Sequence, residues 1–404
     1  NFSRDENLLA RLRITGKTEM IGQKKLIVDG FSEIVDVLQP YIDQVFYNFD
    51  QEIIKPNSIY VVGRAQANHN VDKVRSIIEQ GNAMIVISNP SEGSETIKGQ
   101  IIALKLEQYV IQGRALLIGG GDMESKYHYL QYESFLPKVY DIPENRDLYK
   151  HTDEIFNHTD KPYKFLFLNG RFRPHRKWLL ESFQLSGLLN QAIWTNLDSS
   201  GRSHRTIQLM HDGKDLMLEP MPVKYLDTQY EVPRYRTNLN RQPQAAFAKA
   251  ELFDNGNGFD WGEIYVQPEP YVDTYFSLVT ETIFTYPYSF RTEKIWKPIC
   301  IGHPWIAVSN VGYYRDLKSL GFQTFGNIID ESFDRIDNDI DRLEKIRQVV
   351  EDLCSSKHNL QSFLAQARPI CEYNQKHLWN MREQVRKEFP AKFEKFMRDH
   401  GIGV

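Results

Sequence analysis

The sequence predicts an α/β protein of two doubly wound halves facing each other across a cleft, with further helices packing back from the C-terminal end. Three observations predict it. Short apolar runs alternate with amphipathic segments between residues 57 and 122. A second series of the same kind opens at Lys164 and resumes near Phe276. At 404 residues the chain is longer than one hydrophobic core usually serves.

In the first half, Ser58-Ile-Tyr-Val-Val-Gly63 reads as a strand ending on glycine. A helix capped by Asn70 follows, with Val71, Val74, Ile77 and Ile78 on one face and Gly81 at its end. Met84–Ser88 is the next strand. Ser94 is placed to cap one helix that carries Ile97, Ile101 and Leu104 and runs to about Gly113. Ala115–Ile118 is a third strand and leads into Gly119-Gly-Gly-Asp122. In the second half, Phe165–Leu168 is a buried-type strand, Asn169-Gly170 its turn, and Pro174 opens a helix reaching about Ser186. Residues 198–262 lose periodicity and read as an insertion or long loops. Thr292–Ile301, Trp305–Val308 and Val311–Leu320 then read as helix, strand and helix. Beyond Asn338 amphipathic helix dominates, as in Leu343, Ile346, Val349 and Val350. The expected domains are 1–155, 156–335 with the insertion, and 336–404 as terminal helices.

Bulk properties narrow the function. The apolar share is 41%, enough for real cores. No apolar run nears the ~20 residues that span a bilayer, and the charged first twenty residues are unlike a signal peptide. Cys300, Cys354 and Cys371 are widely spaced with no CxxC pair, the pattern of reduced thiols, so a cytoplasmic location is expected. The net charge is −4, but residues 161–250 hold 14 Lys and Arg against 7 Asp and Glu. That segment carries +7 and the remainder −11, which suggests a phosphate-bearing partner or a chance cluster on a solvated surface.

Two segments carry chemistry. Phe276-Ser-Leu-Val-Thr-Glu281-Thr282 brings a carboxylate to a strand end, and a dozen residues later a helix opens on Thr292-Glu293-Lys294. Free amides at a helix start beside a lysine suit a diphosphate, and a glutamate suits a ribose; a plain N-cap with a favourable first-turn Glu fits the same spacing. The other segment is Asn169-Gly-Arg171-Phe-Arg173-Pro-His175-Arg176 at a strand-to-helix junction. Its cationic side chains lie where the helix dipole disfavours positive charge, and an anion would justify them. Asp337-Asn-Asp339 reads as a capping cluster rather than a metal site. Asp254–Asp260 reads as a turn, since Tyr265 stands where a calcium loop needs Glu.

The run Glu281-Thr282, Thr292-Glu293-Lys294-Ile295 and Gly302-His-Pro304 resembles the C-terminal motif of the α1,3-fucosyltransferase family, with Thr282 replacing the usual Asn. The Asn169–Arg176 run is also similar to glycosyltransferase-like proteins of large tailed phages and giant viruses. The resemblance implies a GT-B architecture of two Rossmann-like domains. It also implies a nucleotide diphosphate sugar as donor, no obligatory metal or other cofactor, and inverting transfer to an acceptor hydroxyl. Donor contacts would come from Asn169, Arg171, Arg173, Arg176, Glu281, Thr292, Glu293 and Lys294. Glu293 would meet the ribose; Lys294 and Arg176 would meet phosphate. The catalytic base has no aligned motif, and Glu92, Glu95 and Asp122 are candidates because they follow strand ends. Two acceptor classes stay open. One is a glycan or saccharide. The other is DNA bearing hydroxymethylated pyrimidines, for which Arg202, Arg205, Arg234, Arg236 and Arg241 are interleaved with Trp194, Tyr225, Tyr230 and Tyr235. A non-catalytic sugar- or nucleotide-binding module is the third possibility.

Overall fold

A computed structural model describes residues 25–29, 34–38, 45–46, 58–63, 71–79, 84–141, 143–169, 173–196, 207–211, 214–218, 266–285 and 288–400. Asn70, Gly81, Gly170, Arg171, Arg202, Arg205, Tyr225, Tyr230, Arg234, Tyr235, Arg236, Arg241 and the 254–260 turn lie outside the described residues. The chain is a mixed α/β protein with two parallel sheets, dividing into Asn1–Pro137 with Arg382–Val404, and Lys138–Met381.

The first unit holds six strands: β1 (Lys25–Asp29), β2 (Val45–Phe46), β3 (Ser58–Val62), β4 (Met84–Asn89), β5 (Ala115–Gly119) and β6 (Tyr129–Gln131). They run parallel in the order β2-β1-β3-β4-β5-β6. The central strands are apolar throughout because both faces are covered. Helices α1 (Ile34–Leu38), α2 (Val71–Glu79), α3 (Ser94–Ala103) and α4 (Glu107–Ile111) follow β1, β3 and β4 in chain order. Tyr60, Val62, Ile85, Ile87, Ala115 and Leu117 pack on α2, α3 and α4 through Val74, Ile77, Ile97, Ile101 and Val110. The alternate residues Ile59, Val61, Val86, Leu116 and Ile118 pack on Ile34, Val35 and Leu38, and on Phe389, Phe393 and Met397 of the C-terminal helix. This is the period-two alternation of a strand, read out on two cores.

Two local expectations are corrected here. The helix expected from Ser94 to Gly113 breaks at Lys105, which adopts φ 56. Leu104 and Leu106 are both buried in the same core. Residues two apart point to nearly opposite sides of a continuous helix, so the chain must turn between them. The N-cap of α3 is Gly93, extended at φ −80 and ψ 172 with no side-chain cap, and Ser94 is already the first helical residue. Gly119 has its own reason: a Cβ there would lie 2.3 Å from Ile97 Cδ1 and 2.7 Å from Tyr129 Oη, so α3 can approach β5 only over a bare backbone.

The second unit carries β7 (Tyr163–Asn169), β8 (Ala192–Asn196), the antiparallel hairpin β9 (Ile207–His211) and β10 (Lys214–Leu218), then β11 (Thr274–Thr280) and β12 (Trp305–Val308). Its sheet is parallel in the order β12-β11-β7-β8. Helix α5 (Pro174–Leu185) joins β7 to β8, and α6 (Glu293–Ile301) joins β11 to β12. Helices α7 (Tyr313–Ser319), α8 (Asp339–Leu353) and α9 (Leu360–Asp399) complete the chain. Phe165 stacks on Phe276 at 5.6 Å, with Phe183 of α5 edge-on at 5.7 Å and Phe363 of α9 edge-on to Phe276 at 6.1 Å. The segment 198–262, expected to be irregular, contains the β9–β10 hairpin. Asn338 caps α8, its side chain accepting from the amides of Ile340 and Asp341, which is the role read from Asp337-Asn-Asp339. No described helix is long and apolar enough to cross a membrane.

The C-terminal helix is part of the first core. Phe393→Ala, at a fully buried position, is expected to lower unfolding stability by about 3–5 kcal/mol. Urea titration followed by hydrogen exchange should then show the amides of Ile59–Val61 losing protection first.

Candidate functional site

Parallel strands β7, β11 and β12 bring their carboxyl ends together, the region where open α/β sheets place ligands. The Thr280 hydroxyl donates to Asn169 Oδ1 at 2.8 Å and ties two strand ends; the Glu281 amide donates to Val308 O at 3.0 Å and extends the ladder to the third. Two helix N-termini, those of α5 and α6, follow these ends.

Glu281 is the hub. It is completely buried, and its carboxylate accepts from the Thr292 amide (3.1 Å), the Thr292 hydroxyl (2.6 Å), the Tyr313 hydroxyl (2.9 Å) and the Thr282 amide (3.3 Å). Taking a carboxylate out of water costs several kcal/mol, and only such a set of donors can offset it. Thr292 is thereby held extended as the N-cap of α6, where its Oγ1 accepts from the Lys294 amide. Gly302, left-handed at φ 77, closes the other end of that helix.

Lys294 Nζ donates to Glu293 Oε1 at 2.5 Å, Thr292 Oγ1 at 3.2 Å and Thr282 Oγ1 at 3.4 Å. Burial alone would push the Glu293 carboxyl up, but Lys294 and Lys297 more than offset this and hold it below the usual glutamate range. The first turn of α6 therefore sets a half-buried ammonium against a buried, charged carboxylate, while the amides of Thr292 and Lys294 are taken by Glu281 and by Thr292 Oγ1.

On the α5 side, Arg173 is the half-buried N-cap residue, while His175 and Arg176 are buried. Arg176 donates to the carbonyls of Thr280 (2.8 Å) and Glu281 (3.1 Å), and His175 Nε2 donates to Glu281 O at 2.9 Å. Burial, helped by Arg176, pushes the His175 imidazole well below its ordinary value, so it contributes no positive charge. Its ring stacks on Phe284 at 5.1 Å, and the Arg342 guanidinium lies 4.5 Å from the centre of that same ring. Arg342 also donates to Phe284 O and Ser309 O, which ties these two residues to α8, and pairs with Asp339 of its own helix.

Among the residues foreseen for the donor side, the structure draws together Asn169, Arg176, Glu281, Thr292, Glu293 and Lys294, with Arg173 at the head of α5. Tyr313, Phe284 and Arg342 were not foreseen. For Tyr313 a signal existed: it follows Gly312, left-handed at φ 78, just beyond the end of β12. Arg342 had none, being distant in sequence and reading as an ordinary charge on an amphipathic helix.

In the first unit, Glu92 follows β4 and Asp122 follows β5, both half-buried, and Glu95 lies in the first turn of α3. The Glu92 carbonyl accepts from Gly120 N at 3.4 Å, and Thr96 Oγ1 reaches its carboxylate at 3.5 Å. Glu133, just beyond β6, is a further carboxylate on that edge; it is buried and accepts from Gln131 Nε2 at 2.6 Å. Trp194, from the set read as suiting base stacking, is buried in β8. No group of three or more His, Cys, Asp or Glu that could hold a metal ion occurs among the described residues. No protein-family model matches the chain, and no curated protein matches it.

The second unit has a built-in acid sensitivity. His303 donates to Thr274 O and accepts from Ser277 Oγ, and burial holds it down to about 3. A histidine with a depressed folded pKa gains its proton first in the unfolded chain, so stability is full above about pH 6.5 and falls as the pH drops towards about 3. Each such histidine contributes a slope approaching about 1.4 kcal/mol per pH unit. Unfolding free energies from urea titrations between pH 6.5 and 5 should show this slope, and His303→Asn should reduce it, leaving the part due to His175.

Proposed function

We propose that this chain is a glycosyltransferase of the two-domain GT-B type, moving a sugar from a nucleotide diphosphate sugar to an acceptor hydroxyl with inversion, the acceptor being a glycan or saccharide. One observation carries the reading: the capped start of α6 holds Lys294 beside Glu293 at the carboxyl edge of a parallel sheet. A diphosphate matches an ammonium at the positive end of a helix dipole, and a carboxylate matches the paired hydroxyls of a ribose. The likeness of Thr292-Glu293-Lys294 to the fucosyltransferase motif supports the same assignment.

In the proposed reaction the acceptor oxygen loses its proton to a carboxylate and bonds to the anomeric carbon. The bond from that carbon to the diphosphate breaks, and the leaving group departs with its electron pair. Lys294 and the α6 dipole stabilise the charge that develops on it. Glu92, Glu95 and Asp122, joined by Glu133, are the candidate bases. Arg176, through its hold on Thr280 and Glu281, supports the donor site from behind.

The +7 charge of residues 161–250 favours one second reading, in which the acceptor is DNA carrying hydroxymethylated pyrimidines. A salt-sensitive mobility shift with duplex DNA is expected under that reading and not with a saccharide acceptor.

A thermal-shift panel of nucleoside diphosphates and nucleotide sugars tests the donor assignment. A ligand at 100 times its Kd stabilises the fold by about 2.7 kcal/mol. One nucleotide class should raise the midpoint, and Lys294→Ala should weaken its binding about 10- to 100-fold. Stabilisation by none of them rejects the transferase and leaves a binding module.

A further inference from the structure

Glu281 has no exposed surface, so its carboxylate reaches a ligand only through other groups. What it reaches is Thr292. Both the amide and the hydroxyl of Thr292 donate to it, which commits the hydroxyl proton and turns the oxygen lone pairs towards Lys294. Lys294 uses them twice, through its amide at 3.3 Å and its ammonium at 3.2 Å. On the far side, the Tyr313 hydroxyl donates to Oε1 of the same carboxylate, and that ring is 1% exposed. A hydroxyl fixed on one oxygen and a threonine bridging both leave the carboxylate a single rotamer.

We propose that Tyr313, Glu281 and Thr292 form a positioning relay that sets the Lys294 ammonium for a diphosphate group, with Glu281 acting through Thr292 and not by touching the ligand. The inference rests on the nucleotide diphosphate reading above. Lysine carries a long, mobile stem, and restricting it before binding removes an ordering cost that would otherwise be charged to affinity. Glu293 Oε1 holds the ammonium from its other side, so the relay sets direction and Glu293 sets reach. Glu281 and Tyr313 are positioning residues on this account, and their effect is confined to the diphosphate part of a ligand.

The test is calorimetric titration of the full chain with UDP, GDP, ADP and dTDP, each alongside its nucleoside, in wild type, Glu281→Gln, Tyr313→Phe and Thr292→Ser. Wild type is expected to bind one diphosphate at least about tenfold tighter than its nucleoside. Glu281→Gln should weaken that diphosphate about 10- to 100-fold and Tyr313→Phe about 3- to 10-fold, with nucleoside affinity within about twofold of wild type. Thr292→Ser keeps the hydroxyl and should bind like wild type. Should Glu281→Gln fail to fold, Tyr313→Phe, which removes one oxygen and keeps the ring, decides alone. Folded Glu281→Gln and Tyr313→Phe proteins that bind the diphosphate as wild type does, or that lose diphosphate and nucleoside equally, overturn the relay while the proposed function stands, and so does a Thr292→Ser protein that loses the diphosphate. Wild type that binds none of the diphosphates overturns the proposed function and the relay with it.

Discussion

A carboxylate sealed inside a protein demands partners, and Glu281 organises the second unit by that demand. Its donors come from the residue beside it, from the start of α6 and from the start of α7, so two further stretches of chain must converge on it. Once they do, the helix cap at Thr292 follows. The main-chain carbonyl of Glu281 is used as fully as its side chain, by His175 and Arg176 of α5. A single residue at a strand end thereby fixes both helix starts, and the chemistry at those starts inherits its geometry.

The same arrangement redistributes charge along the Arg171–Arg176 run. Read as sequence, the run is uniformly basic. In the fold, His175 is neutral and Arg176 spends hydrogen bonds on carbonyls, so part of the basic signal belongs to architecture. The Arg342–Phe284–His175 stack supports this: a cation and a neutral imidazole both pack on the Phe284 ring without exposing charge.

Features written in local chemistry were legible in the sequence. Apolar runs gave away β3, β4, β5, β7 and β12, because strands covered on both faces have no polar alternation to confuse them. Thr292 and Asn338 were recognisable as caps, since a cap is decided by a residue and the amides two or three places on. Features decided by distant residues were not. The turn at Lys105 exists because Leu104 and Leu106 both face a core assembled from other strands. The two-residue strand β2 offers too few residues for a period to show, and β1, with Lys25 and Asp29 at its ends, leaves an apolar run of three. For the candidate site, Glu281, Thr292 and Lys294 were visible as residue types at suggestive spacing. That Glu281 faces inward and meets Tyr313 depends on α7, which lies 32 residues further along.

The C-terminal helix has a consequence for the order in which the protein is made. Phe389, Phe393 and Met397 cover one face of a sheet whose strands are all complete by residue 131. During synthesis at about 5–20 residues per second, that apolar face emerges from the ribosome well before its cover does. The second unit, whose residues Lys138–Met381 are contiguous, can finish folding inside this interval. Maturation of the first unit is then a long-range closure, slowed by the sequence separation it must span. The nascent chain passes through a stage in which a sheet face covered only by α1 is open to chaperones or to misassembly with neighbouring copies.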